Sequence, residues 1–158
     1  MADEILTPEE MAGVEAMIDD WLREQLDDNP VVAAVDKDDE PLSTERLWRV
    51  RVTGEQKDVF AVWYRLRQRT LHVETYFMPA PEENRAELYE QLLRRNRRFN
   101  GLAFCIGEED AVFLAGQFPL TALDRGELDR LFGSVYAYVE QCFRPAIRVG
   151  FASKFGDR

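Results

Sequence analysis

The only histidine in the chain is His72, so a proton relay of the Ser-His-Asp kind would have to run through it. It stands in an alternating segment beside Glu74, with arginines nearby and no second group converging on it. That pattern reads as a surface or half-buried structural histidine. Cys105 and Cys142 taken with His72 lack both a close ligand pair and a fourth ligand, so they do not compose a zinc site. Both cysteines lie in apolar segments, where this residue acts as a small buried hydrophobe, and both are expected as free thiols. The acids in 36–40 imitate a calcium loop, but the sixth position lacks glycine and Leu47 stands where the bidentate glutamate belongs. Glu108, Glu109 and Asp110 suit a water-exposed turn, since a working carboxylate pair needs apolar walls to separate its two pKa values. No glycine-rich phosphate loop occurs. The expectation is a chain without catalysis, metal or cofactor.

The elements that must carry these residues follow from periodicity. Thr7, Pro8 and Glu10 form a capping box with proline at the first helical position, and Met11, Val14, Ile18, Trp21 and Leu22, with Gln25 or Leu26, continue at helical spacing to about Asp27. The apolar run 31–35 reads either as a small strand or as a docked loop, and 36–40 reads as an acidic turn closed by Pro41. From Leu47 the period becomes two. Trp48, Val50 and Val52, then Phe60, Val62, Tyr64 and Leu66, then Leu71, Val73, Thr75 and Phe77 supply the inner faces of three strands. A second helix opens around Glu82, Glu83 and Glu87, with Ala86, Tyr89, Leu92, Leu93 and Asn96 inward, and Asn96 is expected as a buried, hydrogen-bonded packing residue. Strands at 102–106 and 111–118 come next. A last helix capped by Asp124 carries Leu128 to Phe143 and is interrupted near Pro145. The predicted order is αβββαββα, an α+β fold with a five-stranded antiparallel sheet and helices on one side. One domain over 1–158 is expected, with 28–46 as an acidic, mobile connection.

That alternation puts Arg49, Arg51, Trp63, Arg65, Arg67, His72, Glu74 and Tyr76 on the face opposite the core. Arginines interleaved with aromatics stack on bases or dock an acidic peptide. The alternative is a self-compensated face, its arginines paired with Glu74 and with the acidic first helix or loop. The partner-binding residues expected on the first reading are Arg49, Arg51, Trp63, Arg65, Arg67 and Tyr76.

The composition, 46% hydrophobic and 32% charged, is that of a folding globular chain. No apolar run is long enough to cross a bilayer and no basic leader precedes one, so a cytoplasmic protein is expected. Residues 1–45 hold 15 Asp and Glu against Arg23 and Lys37, while 46–158 hold 15 acids and 18 bases. The acidity therefore belongs to the N-terminal third, and the net charge of −10 disfavours nonspecific nucleic-acid binding.

The element order and the stretches TLHVETYFMPAPEEN (70–84), LLRRN (92–96), EEDAVFLAGQFPL (108–120) and YAYVEQCFRPAIRVGFAS (136–153) resemble actinobacterial proteins with a YbjN domain. The resemblance covers most of residues 8–155. That family is similar in fold to the small acidic chaperones of type III secretion. The resemblance implies a non-catalytic role in protein binding or regulation, with homodimers in the chaperone branch, and carries no catalytic or ligand residues to transfer. A partner protein of unknown identity is the expectation. A binder of single-stranded nucleic acid or of an anionic ligand, working through the arginine and aromatic face, is the rival.

Overall fold

A computed structural model of the chain describes residues 5–38 and 45–155. Helix α1 (Pro8–Asp28) leads into strands β1 (Val32–Asp38), β2 (Arg46–Thr53), β3 (Val59–Leu66) and β4 (Thr70–Met78). Helix α2 (Arg85–Asn96), strands β5 (Ala103–Ile106) and β6 (Val112–Pro119), helix α3 (Arg125–Gly150) and the short α4 (Ala152–Phe155) follow. The class is α+β with an open antiparallel sheet, as the periodicity predicts. The sheet has six strands in the order β1-β2-β3-β4-β6-β5, which corrects the expected five.

The added strand is β1. Asp36 and Asp38 look like turn residues, yet they pair opposite Arg49 and Leu47 on β2. An edge strand tolerates such charges because one of its sides stays in water, and the charges discourage pairing with another chain. Lys37 is held from α1 by Glu15 at 2.6 Å and Asp19 at 3.1 Å, and Arg46 lies 3.4 Å from the same Glu15. The acidic helix is thus met by cations of the β1–β2 edge. Of the expected connection, residues 39–44 lie outside the described residues.

The capping box of α1 closes as read, with Glu10 N–H donating to the Thr7 hydroxyl at 3.1 Å and Thr7 N–H to the Glu10 carboxylate at 2.9 Å. Ile18, Trp21 and Leu22 are buried, and at the end of the stripe Gln25 turns inward while Leu26 is exposed. Helix α2 starts later than expected. The N–H groups of Glu82 and Glu83 donate to the carbonyl of Gly150 instead of opening a helix, and Asn84 adopts a left-handed φ of 53° before the first turn. Its buried face is Leu88 and Leu92, with Ala86 and Leu93 exposed. Helix α3 runs through Pro145 without interruption, because Cys142, Ala146 and Gly150 on either side of the proline pack in one register.

The buried residues of every strand join those of α1, α2 and α3 in one cluster, so the helices cover a single face of the sheet. Large indoles need a partner for their N–H when buried. Trp21 finds Asp129 on α3 at 2.7 Å and Trp48 finds Asp19 on α1 at 2.9 Å. Thr75, the buried polar residue of β4, donates its hydroxyl to the Ala61 carbonyl at 2.6 Å. The turn between β2 and β3 is tied down from above. The Glu140 carboxylate accepts the backbone N–H groups of Glu55, Gln56 and Lys57 at 2.5, 2.8 and 3.2 Å. Gly54 permits that approach, since a Cβ there would sit 2.6 Å from the same carboxylate.

Candidate functional site

The strand alternation places Arg49 and Arg51 of β2, Trp63 and Arg65 of β3, and His72, Glu74 and Tyr76 of β4 on the face away from the helices. Register sets Arg49 opposite Trp63, Trp63 opposite Glu74, and Arg65 opposite His72. The guanidinium carbons of Arg49 and Arg65 lie 5.3 and 5.2 Å from the Trp63 ring centroid, a cation–π arrangement. Arg49 also pairs with Asp38 at 3.3 Å, while Glu74 lies 3.8 Å from Arg65 and 3.3 Å from the His72 ring nitrogen. Arg49 and Arg65 therefore have their charge answered within the sheet, and such part-exposed pairs contribute little to stability.

Two of the expected residues stand apart. Arg67 lies beyond the end of β3, where its N–H donates to the Thr70 carbonyl and its side chain meets Glu45 at 3.4 Å. Arg51 is exposed opposite Ala61 and has no ion-pair partner among the described residues.

What the face offers at its centre is a concavity of about 430 Å³. Trp63 walls one side and Tyr76 with Phe113 the other, and Ala61, Arg65, Glu74, Cys105, Gly107 and Glu108 complete the lining. Tyr76 and Phe113 meet edge to face with centroids 5.6 Å apart. The small Ala61 gives the depression depth, and Gly107 gives Phe113 room, since a Cβ at Gly107 would fall 2.5 Å from its ring. Although Cys105 is an exposed residue, partial desolvation against the concavity wall raises its thiol above the ordinary range and the charge of Glu74 raises it further. Burial likewise raises the Tyr76 phenol, with the charge of Glu109 adding to it.

Phe113, Cys105 and Ala61 escape the sequence reading. The period of two in 111–118 is visible, but nothing local says that β6 lies beside β4 rather than at the sheet edge, and only that placement brings Phe113 against Tyr76. Cys105 is exposed, contrary to the buried role expected for it, and Cys142 is buried; both are free thiols. Lys57 is a further addition. Its ammonium donates to the carbonyls of Tyr76 at 3.1 Å and Phe77 at 2.6 Å, 5.3 Å from the Tyr76 ring centroid, and burial pushes it down to about 8. It pins the backbone that carries Tyr76. Among the described residues no group of three or more His, Cys, Asp and Glu is arranged to hold a metal ion, and no helix is long and apolar enough to cross a membrane.

A family model described as "YbjN: Putative bacterial sensory transduction regulator" matches residues 19–148. Uncharacterized proteins of Mycobacterium bovis and Mycobacterium tuberculosis are each 35% identical over 104 residues, which is 66% of this chain and 57% of theirs. An uncharacterized protein of Mycobacterium leprae is 30% identical over 104 residues, 66% of this chain and 56% of that one. The aligned part thus spans little more than half of these curated relatives.

Proposed function

The chain belongs to the YbjN family, and from that premise we propose that it is a non-catalytic, cytoplasmic regulatory module that holds a partner protein on the outer face of its sheet. The observation that carries this reading is the concavity walled by Trp63, Tyr76 and Phe113. Large aromatics left half-exposed around a depression are the residues that anchor protein partners, because they bury much area at small entropic cost. Tyr76 is 46% exposed although its ring is held by Phe113 and Lys57, so the anchor is preformed and free to be covered. The family description names a putative sensory transduction regulator, which supports the regulatory part of this reading. The fold is proposed to be a relative of the secretion-chaperone arrangement with β1 added at its edge.

The rival reading, single-stranded nucleic acid or an anionic ligand on the arginines, loses support from the pairing of Arg49 with Asp38 and of Arg65 with Glu74. The test is affinity capture from the native cytoplasm at low salt, with and without nuclease, comparing the wild-type chain with W63A/R65A. Partners that survive nuclease and are lost on the folded double variant are expected. Equal capture by both chains would remove the proposed surface, and loss on nuclease treatment would restore the rival.

A further inference from the structure

Where the last turns of α3 meet α4 and the turn between β2 and β3, a cleft of about 490 Å³ opens, lined by Gln56, Phe143, Arg144, Ile147, Arg148 and Phe155. That volume falls in the range of about 300–1,000 Å³ usual for small-molecule sites. The helical repeat sorts the lining. Phe143 and Ile147, four residues apart, make an apolar stripe, and Arg144 and Arg148, also four apart, make a basic stripe beside it. Phe155 adds an apolar wall from α4 and is 47% exposed. That wall is fixed in place. The Glu83 carboxylate accepts the Ser153 N–H at 2.5 Å and the Ser153 hydroxyl at 2.9 Å, and Lys154 meets Glu82 at 3.2 Å.

The two arginines identify the occupant. Like charges at this spacing repel and weaken a helix, and neither exposed guanidinium has an ion-pair partner among the described residues. Arg148 stands in the last turn of α3, where a cation suits the helix dipole. Arg144 lies a turn earlier, beyond the reach of that effect. Its natural partner is Glu140, one turn back, but that carboxylate is taken by the three backbone N–H groups of the β2–β3 turn. Side chains one turn apart have Cβ atoms about 5–6 Å apart, so both guanidiniums can close on one anion. The Lys57 ammonium adds positive charge 5.0 Å from the Phe143 ring centroid. In a chain of net charge −10, these arginines stay unanswered by its own acids. An extended peptide would find no main chain to pair with, because the cleft is bounded by helices and a turn whose N–H groups already serve Glu140. The cleft offers side chains only: an apolar floor and two cations, which suit a compact ligand with an apolar body and one anionic group.

We propose that the α3–α4 cleft binds a small organic anion, its anionic group held by Arg144 and Arg148 and its apolar body resting on Phe143, Ile147 and Phe155. The site is separate from the outer-face concavity and stands or falls independently of it. Anilinonaphthalene sulfonate, an aromatic anion that fluoresces when shielded from water, tests it on the full chain, with phenylnaphthylamine as the same body without the charge. The wild type is expected to bind the sulfonate at one saturable site. R144E/R148E should weaken that binding by at least about tenfold with an unchanged circular dichroism spectrum, since both arginines are exposed. The uncharged probe should not notice this variant, F155A should weaken both probes, and W63A/R65A should leave both as they were. The absence of a saturable site on the wild type, a sulfonate affinity indifferent to R144E/R148E, an equal loss of both probes in that variant, or loss of the sulfonate in W63A/R65A would each overturn the proposal.

Discussion

At the scale of single residues, the polar groups that decide local structure are the ones that answer a backbone need. Glu140 is the clearest, because three consecutive N–H groups of the turn after β2 converge on its carboxylate. Partial burial works to raise its pKa, but those donors outweigh it and hold the carboxyl below the ordinary 4.5. A carboxylate favoured in the folded state contributes its stability in full above that ordinary value, and the contribution fades as pH falls through the depressed one. E140Q is therefore expected to cost about 1–2 kcal/mol at neutral pH, since a charged acceptor is replaced by a neutral one. The difference from the wild type in urea titrations should shrink below pH 4.5; a difference independent of pH would contradict this role. G107A tests the concavity in the same way. Its Cβ would meet the Phe113 ring at 2.5 Å and force the ring to turn, so partner retention should fall as it does in W63A/R65A while the chain still folds. Of these residues, the sequence alone could single out Trp63 and Tyr76, whose parity in the strands is local. Glu140 and Gly107 act on residues 85 and 6 positions away, as in the Glu55 bond and the Phe113 approach, and nothing in their own neighbourhood marks them.

At the scale of elements, local chemistry was legible where one signal dominated. The capping box of α1, the alternation of β2, β3 and β4, and the apolar stripe of α3 all stand where periodicity puts them. The failures share a cause, which is that tertiary contacts overrode a local signal. Asp36 to Asp38 reads as turn chemistry, yet Glu15 and Asp19 of α1 hold Lys37 and make a strand of it. Pro145 reads as a break, yet buried neighbours carry α3 past it. The helix sustains this at the cost of one backbone hydrogen bond, so P145A should raise stability by about 1–3 kcal/mol in thermal unfolding; a loss would mean that the proline ring itself is part of the packing. Asn96 was legible as a hydrogen-bonded residue of the α2 inner face, but that it caps β5 depended on a loop bringing the strand back alongside. N96A should leave the Phe104 N–H open to solvent and speed its amide exchange well beyond that of its neighbours, at a cost of about 1–2 kcal/mol.

At the scale of the whole molecule, class and sidedness were readable and the neighbour order was not. A period of two tells which side chains share a face, but only the closing of loops decides that β6 inserts between β4 and β5. That insertion turns a stripe of arginines into a walled concavity, in which Arg49 and Arg65, paired within the sheet, flank the Trp63 ring. The central claim is that a partner covers this wall, and the chain carries its own reporter. Trp21 and Trp48 are each 1% exposed, whereas Trp63 lies half-buried at the edge of the concavity. Acrylamide quenching of tryptophan emission, measured on the free chain and on its complex with a captured partner free of tryptophan, therefore reads the site directly. The quenchable fraction present in the free chain should vanish in the complex; a complex in which that fraction stays as accessible as before would place the partner elsewhere.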